Sequence, residues 1–293
     1  MSGKINRRLL GKQLSQLSNA SVAEVLSAAR QDNAPDVPRI GLTGAPGVGK
    51  STLAAQLGCY RAENHSVGIL AVDPSSPISG GAILGDRIRL DELQPSHDLY
   101  MRSVASRSVN DGLADNLPEL LEAMAAAGFD ELLLETVGVG QAEHGARSQV
   151  DTLVLVLMPD SGDTIQAMKA GSMELADIYV INKSDLPGAD KLAAEIRRVH
   201  AYTAKRSSWE SPVILTSMSE PKSIEALSDA INQHQAWLRT THTVDEIRTA
   251  RARYRLKLQL ERRIKEVLDE FAPADFTKPI AEQYLSATKI LGK

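Results

Sequence analysis

Eight residues carry the clearest chemical signal: Gly44-Ala45-Pro46-Gly47-Val48-Gly49-Lys50-Ser51, with Thr52 directly after them. Glycines at this spacing let backbone N–H groups curl around phosphate oxygens, and the N-terminus of a following helix adds partial positive charge. Lys50 is placed to reach the β- and γ-phosphates, and the Ser51 hydroxyl to ligate Mg²⁺. The apolar run Ile40-Gly41-Leu42-Thr43 precedes the loop, and the helical stretch Thr52–Leu57 follows it. A strand–loop–helix setting of this kind makes an accidental glycine-rich turn remote and points to a nucleoside triphosphate.

The base-reading element is Asn182-Lys183-Ser184-Asp185, at the end of the apolar run Ile178–Ile181. An Asp carboxylate here accepts hydrogen bonds from guanine N1–H and its exocyclic amine. Adenine offers neither donor, so the acceptors would stay unpaired and discrimination is strong. The Asn182 amide is in reach of the base edge, and the Lys183 stem packs on the ring. Thr216-Ser217-Met218, after the next apolar run, sits where a small loop supports the base from its other side. The expected ligands are GTP and GDP rather than adenine nucleotides.

A further acid, Glu135, ends the run Leu132-Leu133-Leu134 and precedes Thr136-Val137-Gly138. An acid at such a strand end holds Mg²⁺ through water, and Gly138 lets a backbone N–H meet the γ-phosphate. Ras-like proteins have Asp there, and a water-orienting Gln after the glycine. Here that position is Val139, which cannot hydrogen-bond through its side chain. Gln141 lies two residues on and substitutes only if the loop refolds, so slow intrinsic hydrolysis is expected, completed by a partner or by dimer rearrangement. Asp73 ends another apolar run, and Asp86 lies in the glycine-rich Gly80–Arg87 segment. Both are candidates for the Mg²⁺ site, and Arg87 and Arg89 are candidates to neutralise phosphate or, equally, surface ion pairs.

The elements that must position these groups alternate along the chain. Candidate strands are Ile40–Thr43, Val67–Val72, Leu99–Arg102, Phe129–Glu135, Leu153–Met158, Ile178–Ile181 and Val213–Thr216. Helical stretches are Leu117–Ala127, Thr164–Leu175, Ala189–His200 and Ser223–Leu238. Near-continuous Val, Ile and Leu in the strands, with helices between, describes a doubly wound parallel α/β sheet with ligands at its carboxyl edge. Residues 1–38 read as an N-terminal helical extension, 39–240 as the nucleotide domain and 241–293 as a C-terminal helical region. In the extension, Ser21-Val22-Ala23-Glu24 is a capping box. Leu9, Leu10, Leu14 and Leu17 describe a short helix docking on the main domain, preferred here over an organelle transit peptide. Thr243–Phe271 contains no Gly or Pro and reads as one long helix. Leu260, Ile264, Val267, Leu268 and Phe271 form its apolar stripe. Its many arginines and lysines, Arg251, Arg255 and Arg262 among them, read as a solvated face.

The chain has 293 residues and a net charge of −4, which gives no electrostatic reason to expect nucleic acid. One cysteine, Cys59, excludes a disulfide framework and fits a reducing, cytoplasmic setting with Cys59 as a packing residue. No apolar run approaches the roughly 18 residues of a membrane span.

Together, GAPGVGKST, AVDPSSP, GGAILGDRIRL, ETVGVGQAE and ELADIYVINKSD resemble the MeaB/ArgK group. These are the GTPases associated with methylmalonyl-CoA mutase and related adenosylcobalamin-dependent mutases. The resemblance spans Arg39 to the C-terminus, and ETVGVGQ is its most specific part. It implies a P-loop fold of the SIMIBI type, and a homodimeric chaperone that gates adenosylcobalamin loading, protection or reactivation of an acyl-CoA mutase. A cobalamin adenosyltransferase is a further implied partner. By matching motifs, Lys50, Ser51, Asp73, Asp86 and Glu135 look like the phosphate and Mg²⁺ residues, and Asn182, Lys183 and Asp185 like the base readers. A switch segment answering to the mutase corresponds to residues 160–171, with Gln166 and Lys169. The region before the phosphate loop is shorter than usual for the group. Residues 102–111 lack its glycine-rich character, and Asp163-Thr164-Ile165-Gln166 departs from its usual acidic-Leu-Gln, so the client is open to being a different acyl-CoA mutase. A nickel-inserting GTPase would need a Cys/His cluster, which one cysteine and the scattered His65, His97, His144, His200, His234 and His242 do not offer. A transport-linked kinase would need ATP preference, which Asp185 opposes.

Overall fold

The computed structural model describes residues 5–28, 35–74, 98–106, 114–136, 142–159, 172–203 and 208–291. Seven strands form one sheet: β1 (Arg39–Thr43), β2 (Val67–Pro74), β3 (Leu99–Ser106), β4 (Glu131–Glu135), β5 (Thr152–Leu157), β6 (Ile178–Asn182) and β7 (Val213–Thr216). Their order is β3-β2-β4-β1-β5-β6-β7, and every neighbouring pair is parallel. β1 therefore lies at the centre with β4 on one side and β5 on the other. The chain leaves β1 at the point where strand order reverses, where doubly wound sheets bind ligands.

Helices cover both faces, which is why β1, β4, β5 and β6 are buried along their whole length. On one face, α3 (Lys50–Arg61) and α7 (Lys222–Thr241) pack Leu53, Leu57, Leu227 and Ile231 against Ile40, Leu42, Ile69 and Leu133. On the other, α4 (Leu117–Ala126) sets Leu117, Leu120, Leu121 and Met124 over Leu70, Val72, Leu132 and Leu134. The N-terminal α1 (Arg7–Leu17) joins that second layer through buried Leu10 and Leu14, while Leu9 is exposed. The docking-helix reading of the leucines thus holds, and Arg7 adds a hydrogen bond to the Leu99 carbonyl at 2.9 Å. α5 (Ala142–Arg147) precedes β5, and α6 (Ala189–Thr203) covers β6 and β7 through Leu192, Ala193 and Ile196. Cys59 is half-buried beside the α3 core.

Several boundaries differ from expectation. β3 runs through Ser106 because it pairs with β2 residue by residue as far as Pro74↔Ser106. Phe129 lies outside β4, since Gly128 turns the chain there at φ +98°. Of the helix expected at Thr164–Leu175, residues 164–171 lie outside the described ones, and Ser172–Glu174 is a 3-10 turn.

The ends are held differently from the core. α2 (Val22–Ala28) opens with the expected capping box, the Ser21 N–H donating to Glu24 Oε2 at 2.8 Å. α8 (Val244–Asp269) opens with another, Thr243 and Glu246 bonding reciprocally. The helix ends before Phe271, which stacks instead on Phe276 of the following 3-10 turn. α9 (Ile280–Leu291) then folds back along α8. The basic face of α8 is solvated only in part: Arg253, Lys257 and Lys265 are exposed, as the sequence reading expects, but other arginines of the helix are paired with protein groups. Arg251 bridges Asp36 and Asp151, Arg255 pairs with Glu119 at 2.9 Å, and Arg262 bonds Asn116. Arg251, Gln259 and Val267 are the buried residues of this helix, whereas Leu260, Ile264 and Leu268 of the apolar stripe are exposed. Arg251 and Arg255 face inward because α4 and the base of the sheet present carboxylates, and burying them unpaired would be costly.

Candidate functional site

Three elements come together at the carboxyl edge of the sheet beside α3. The first is the turn after β1. Gly44, Gly47 and Gly49 all have positive φ, and a Cβ on Gly44 would stand 2.1 Å from the Val156 carbonyl oxygen. Glycine is required there by close approach of β5, and at Gly49 by Asn182, whose amide nitrogen would meet a Cβ at 2.5 Å. Pro46 and Ala45 lie on the loop between these glycines, and Val48 is fully buried beneath it. Lys50, also buried, donates from Nζ to the carbonyls of Gly44 at 2.7 Å and Ala45 at 3.0 Å. Its ammonium thus lies across the loop. Thr52 follows in the first turn of α3, half-buried.

The second element is the end of β4. Strand alternation puts Leu133 and Glu135 on the face that packs on α3, and register carries Ala71, and two residues on Asp73, to the same face. Glu135 Oε1 accepts a 2.6 Å hydrogen bond from Ser51 Oγ. Glu135 and Asp73 are both buried. Thr136 bonds Thr43 through their hydroxyls at 3.1 Å and its N–H donates to the Leu42 carbonyl, fixing the exit of β4 against the phosphate loop. Hard oxygen donors, Ser51 and Glu135, with Asp73 on the neighbouring strand, suit Mg²⁺. Among the described residues no group of three or more His, Cys, Asp and Glu gathers as a metal cluster. Asp86, Arg87, Arg89, Gly138, Val139, Gln141, Gln166 and Lys169 lie outside the described residues.

The third element joins the ends of β6 and β7. Asn182 Nδ2 donates to the Val48 carbonyl at 2.8 Å, and its Oδ1 accepts from Thr216 Oγ1 at 3.0 Å. The sequence reading sent this amide to the base edge. In the structure each of its polar atoms also bonds a protein group, so Asn182 ties the phosphate loop to the base loop, with a second amide N–H left over. Lys183, at φ +55°, donates from Nζ to the Gly47 carbonyl at 3.1 Å. Asp185 Oδ1 accepts from Ser217 Oγ at 2.5 Å, and Ser219 donates its N–H to the same hydroxyl at 3.2 Å. That hydroxyl, with a smaller contribution from the backbone, holds the Asp185 carboxyl below its ordinary range, so it stays an ionised acceptor. Met218 is 69% exposed beside it. Phosphate loop, acidic strand end and base loop are therefore one hydrogen-bonded unit.

A family model described as methylmalonyl Co-A mutase-associated GTPase MeaB matches residues 12–272. The chain belongs to the MeaB family. Relatives include a putative GTPase of Pyrococcus horikoshii, 36% identical over 87% of this chain and 82% of its own length. GTPase ArgK of Escherichia coli is 35% identical over 82% of this chain and 73% of its own. The mouse mitochondrial methylmalonic aciduria type A homolog is 36% identical over 70% of this chain, which spans 51% of that protein. Among solved structures, a LAO/AO transport system kinase superposes at TM-score 0.61 with 22% identity, covering 99% of this chain and 100% of that one. Helicobacter pylori HypB in complex with nickel reaches 0.50 at 16% identity, covering 79% and 99%. These two likenesses speak for the fold alone, a doubly wound parallel P-loop domain. As a MeaB-family GTPase the protein binds GTP and GDP and hydrolyses GTP.

Sequence reasoning missed the supporting residues of this MeaB-family site. Thr43 and Ser219 belong to none of the motifs quoted, Thr136 lies in ETVGVGQ without a role assigned to it, and only the fold shows that they lock the strand ends. It also missed the opposite, amino-terminal edge of the sheet. There Asp177, just before β6, accepts from Arg147 at 2.6 Å and from the Leu153 N–H at 2.7 Å, with His234 Nε2 at 3.4 Å. His234 bonds Thr152 through Nδ1 at 2.9 Å and lies between Trp209 and Trp237. Burial pushes the Asp177 carboxyl up to about 6 and His234 down to about 4. Among the described residues no helix is long and apolar enough to cross a membrane.

Proposed function

We propose that this GTPase is a homodimeric chaperone of an adenosylcobalamin-dependent acyl-CoA mutase, gating cofactor loading, protection or reactivation. The observation that carries the reading is the family match over residues 12–272, whose description names a methylmalonyl-CoA mutase partner. The name of the mouse relative points the same way. The division proposed is residues 1–38 as an N-terminal extension, 39–240 as the GTPase domain and 241–293 as a helical dimerisation region.

In the proposed site, residues 44–52 wrap the phosphates, with Lys50 neutralising their charge and Gly138 meeting the γ-phosphate. Asp185, with Asn182 and Lys183, reads guanine, supported by Thr216, Ser217 and Met218, and Asn182 and Lys183 also brace the phosphate loop. Ser51, Glu135, Asp73 and Asp86 would hold Mg²⁺. When bound, Mg²⁺ would neutralise charge developing on the β- and γ-phosphates. Lys50 withdraws from the Gly44 and Ala45 carbonyls to meet the phosphates, and Ser51 leaves Glu135. Without a water-orienting side chain at Val139, turnover of the isolated protein is slow.

The test is GTP turnover with and without each acyl-CoA mutase of the host, together with transfer of adenosylcobalamin to the stimulated enzyme. Stimulation by one mutase, and transfer that depends on nucleotide state, is expected because coupling between sites is reciprocal. No stimulation and no complex with any of them removes the chaperone role and leaves the GTPase.

A further inference from the structure

At the amino-terminal edge of the sheet, β1 begins with Arg39, a guanidinium only 2% exposed. Its Nη2 donates to Glu122 at 2.6 Å, but among the described residues its Nε and Nη1 have no hydrogen-bond partner. Arg251 of α8 donates from Nη1 to Asp36 and from Nη2 to Asp151, and its buried Nε is likewise without one. Both arginines line a chamber of about 510 Å³ together with Arg248, Arg255, Asp36 and Glu122. Arg248 Nε stands 3.9 Å from Asp36, beyond hydrogen-bonding distance. Four guanidinium groups and two carboxylates thus face the same space. Burial first, and then the charge of Arg251, push Arg39 below its ordinary range. Buried N–H donors without acceptors and two mutually repelling guanidinium groups are both relieved by one ligand chemistry, an oxyanion with several acceptor oxygens.

We propose that this chamber binds an anion of the phosphate class through Arg39, Arg248 and Arg251, at the sheet edge opposite the phosphate loop. The ligand is either free phosphate or a phosphate carried on a small organic group, for which the volume leaves room. Asp151 and Glu119 behind the lining already balance Arg251 and Arg255, so the anion's own contribution comes from donors those acids leave unmet. Because Arg39 lies on β1 and the other two arginines on α8, the ligand would clamp the C-terminal helix to the strand that feeds the nucleotide loop.

The experiment uses the full chain saturated with GDP and Mg²⁺, so that the phosphate loop is filled. Inorganic phosphate and ribose 5-phosphate are titrated separately at constant ionic strength in chloride, by calorimetry and by thermal shift. Saturable binding of at least one probe is expected, together with a rise in Tm that chloride does not produce. Stronger binding of ribose 5-phosphate identifies an organic phosphate, and stronger binding of phosphate the free ion. Arg248→Ala, at an exposed side chain, should weaken binding at least tenfold with GDP affinity unchanged, and Arg39→Lys should abolish it. Absence of saturable binding by both probes, or undiminished binding to Arg248→Ala, overturns the proposal. The Arg248 variant keeps the test decisive if Arg39→Lys fails to fold.

Discussion

Ser51 Oγ donates to Glu135 Oε1 at 2.6 Å, joining the first turn of α3 to the last residue of β4. Two oxygens that each look toward the phosphate loop are held by one another, so neither has to be gathered when a nucleotide arrives. Lys50→Ala and Glu135→Ala are each expected to lower GTP turnover by about 10²–10³-fold, the scale of losing one preorganised electrostatic group. Phosphate release under saturating GTP measures it. A Glu135→Ala enzyme at wild-type rate would remove Glu135 from the site.

Guanine selection should rest on Asp185, whose carboxylate is kept ionised by Ser217. Asp185→Asn should weaken GDP by more than about tenfold and shift preference toward xanthine nucleotides, since losing a built acceptor is severely discriminating. Competition between GDP, XDP and ADP reads this directly. Comparable wild-type affinity for ADP would contradict the base assignment.

Arg61 and Glu131 form a two-pronged buried ion pair at 2.5 and 2.6 Å, and Arg61 also bonds Ser228 at 2.7 Å. Glu131→Ala leaves a buried cation and is expected to cost about 3–5 kcal/mol of unfolding free energy. The double variant Arg61→Met/Glu131→Leu should recover most of it. Urea titration of the three proteins decides, and a single variant as stable as wild type would show the pair to be idle.

The pH dependence of stability should be nearly flat between about 4 and 6, because two buried groups oppose each other. Asp177 titrates at about 6 when folded against 3.8 unfolded, so the folded chain holds the extra proton and its contribution falls as pH rises through that window. His234 titrates at about 4 against 6.5, so the folded chain holds fewer protons and its contribution rises with pH. Asp177→Asn should leave a Tm that climbs from pH 4 to 6.5, and His234→Gln one that declines from pH 4 to 6. Thermal melts at half-unit steps check the signs, and parallel profiles for both variants would refute the pairing.

Leu256, Leu260, Ile264 and Leu268 recur every fourth residue along α8 and are exposed, as are Ile280 and Tyr284 on α9. In the proposed homodimer this exposed apolar face is the expected contact surface. Ile264→Asp should make the protein monomeric in sedimentation while GDP affinity stays within about twofold, a direct surface substitution far from the nucleotide loops. A monomeric wild type would dispose of the dimer.

The nucleotide loops were legible in the sequence because their function forces residue type. Gly44 has no room for a Cβ and Asp185 must accept, so local spelling and global role coincide. The strands were legible from continuous Val, Ile and Leu, since a parallel sheet covered on both faces allows little else. The bracing role of Asn182 was not legible, because only the approach of β6 to the phosphate loop brings its amide to the Val48 carbonyl. The inward face of α8 was misread for a related reason. A run of arginines along a helix looks the same whether water or carboxylates face it, and Asp36, Glu119 and Asp151 come from three distant segments.

That arginine-lined joint has a thermodynamic character unlike the rest of the molecule. Lifting α8 away would uncover ion pairs and little apolar surface, so the step adds little to the heat capacity of unfolding. Charge pairs lose less to dehydration as temperature rises, so the joint tightens on warming relative to the aliphatic layers. Salt screens chiefly its exposed member, Arg248 beside Asp36, since buried pairs are screened much less. The C-terminal helices are thus held to the nucleotide domain by a joint that neither moderate warming nor added sodium chloride readily loosens.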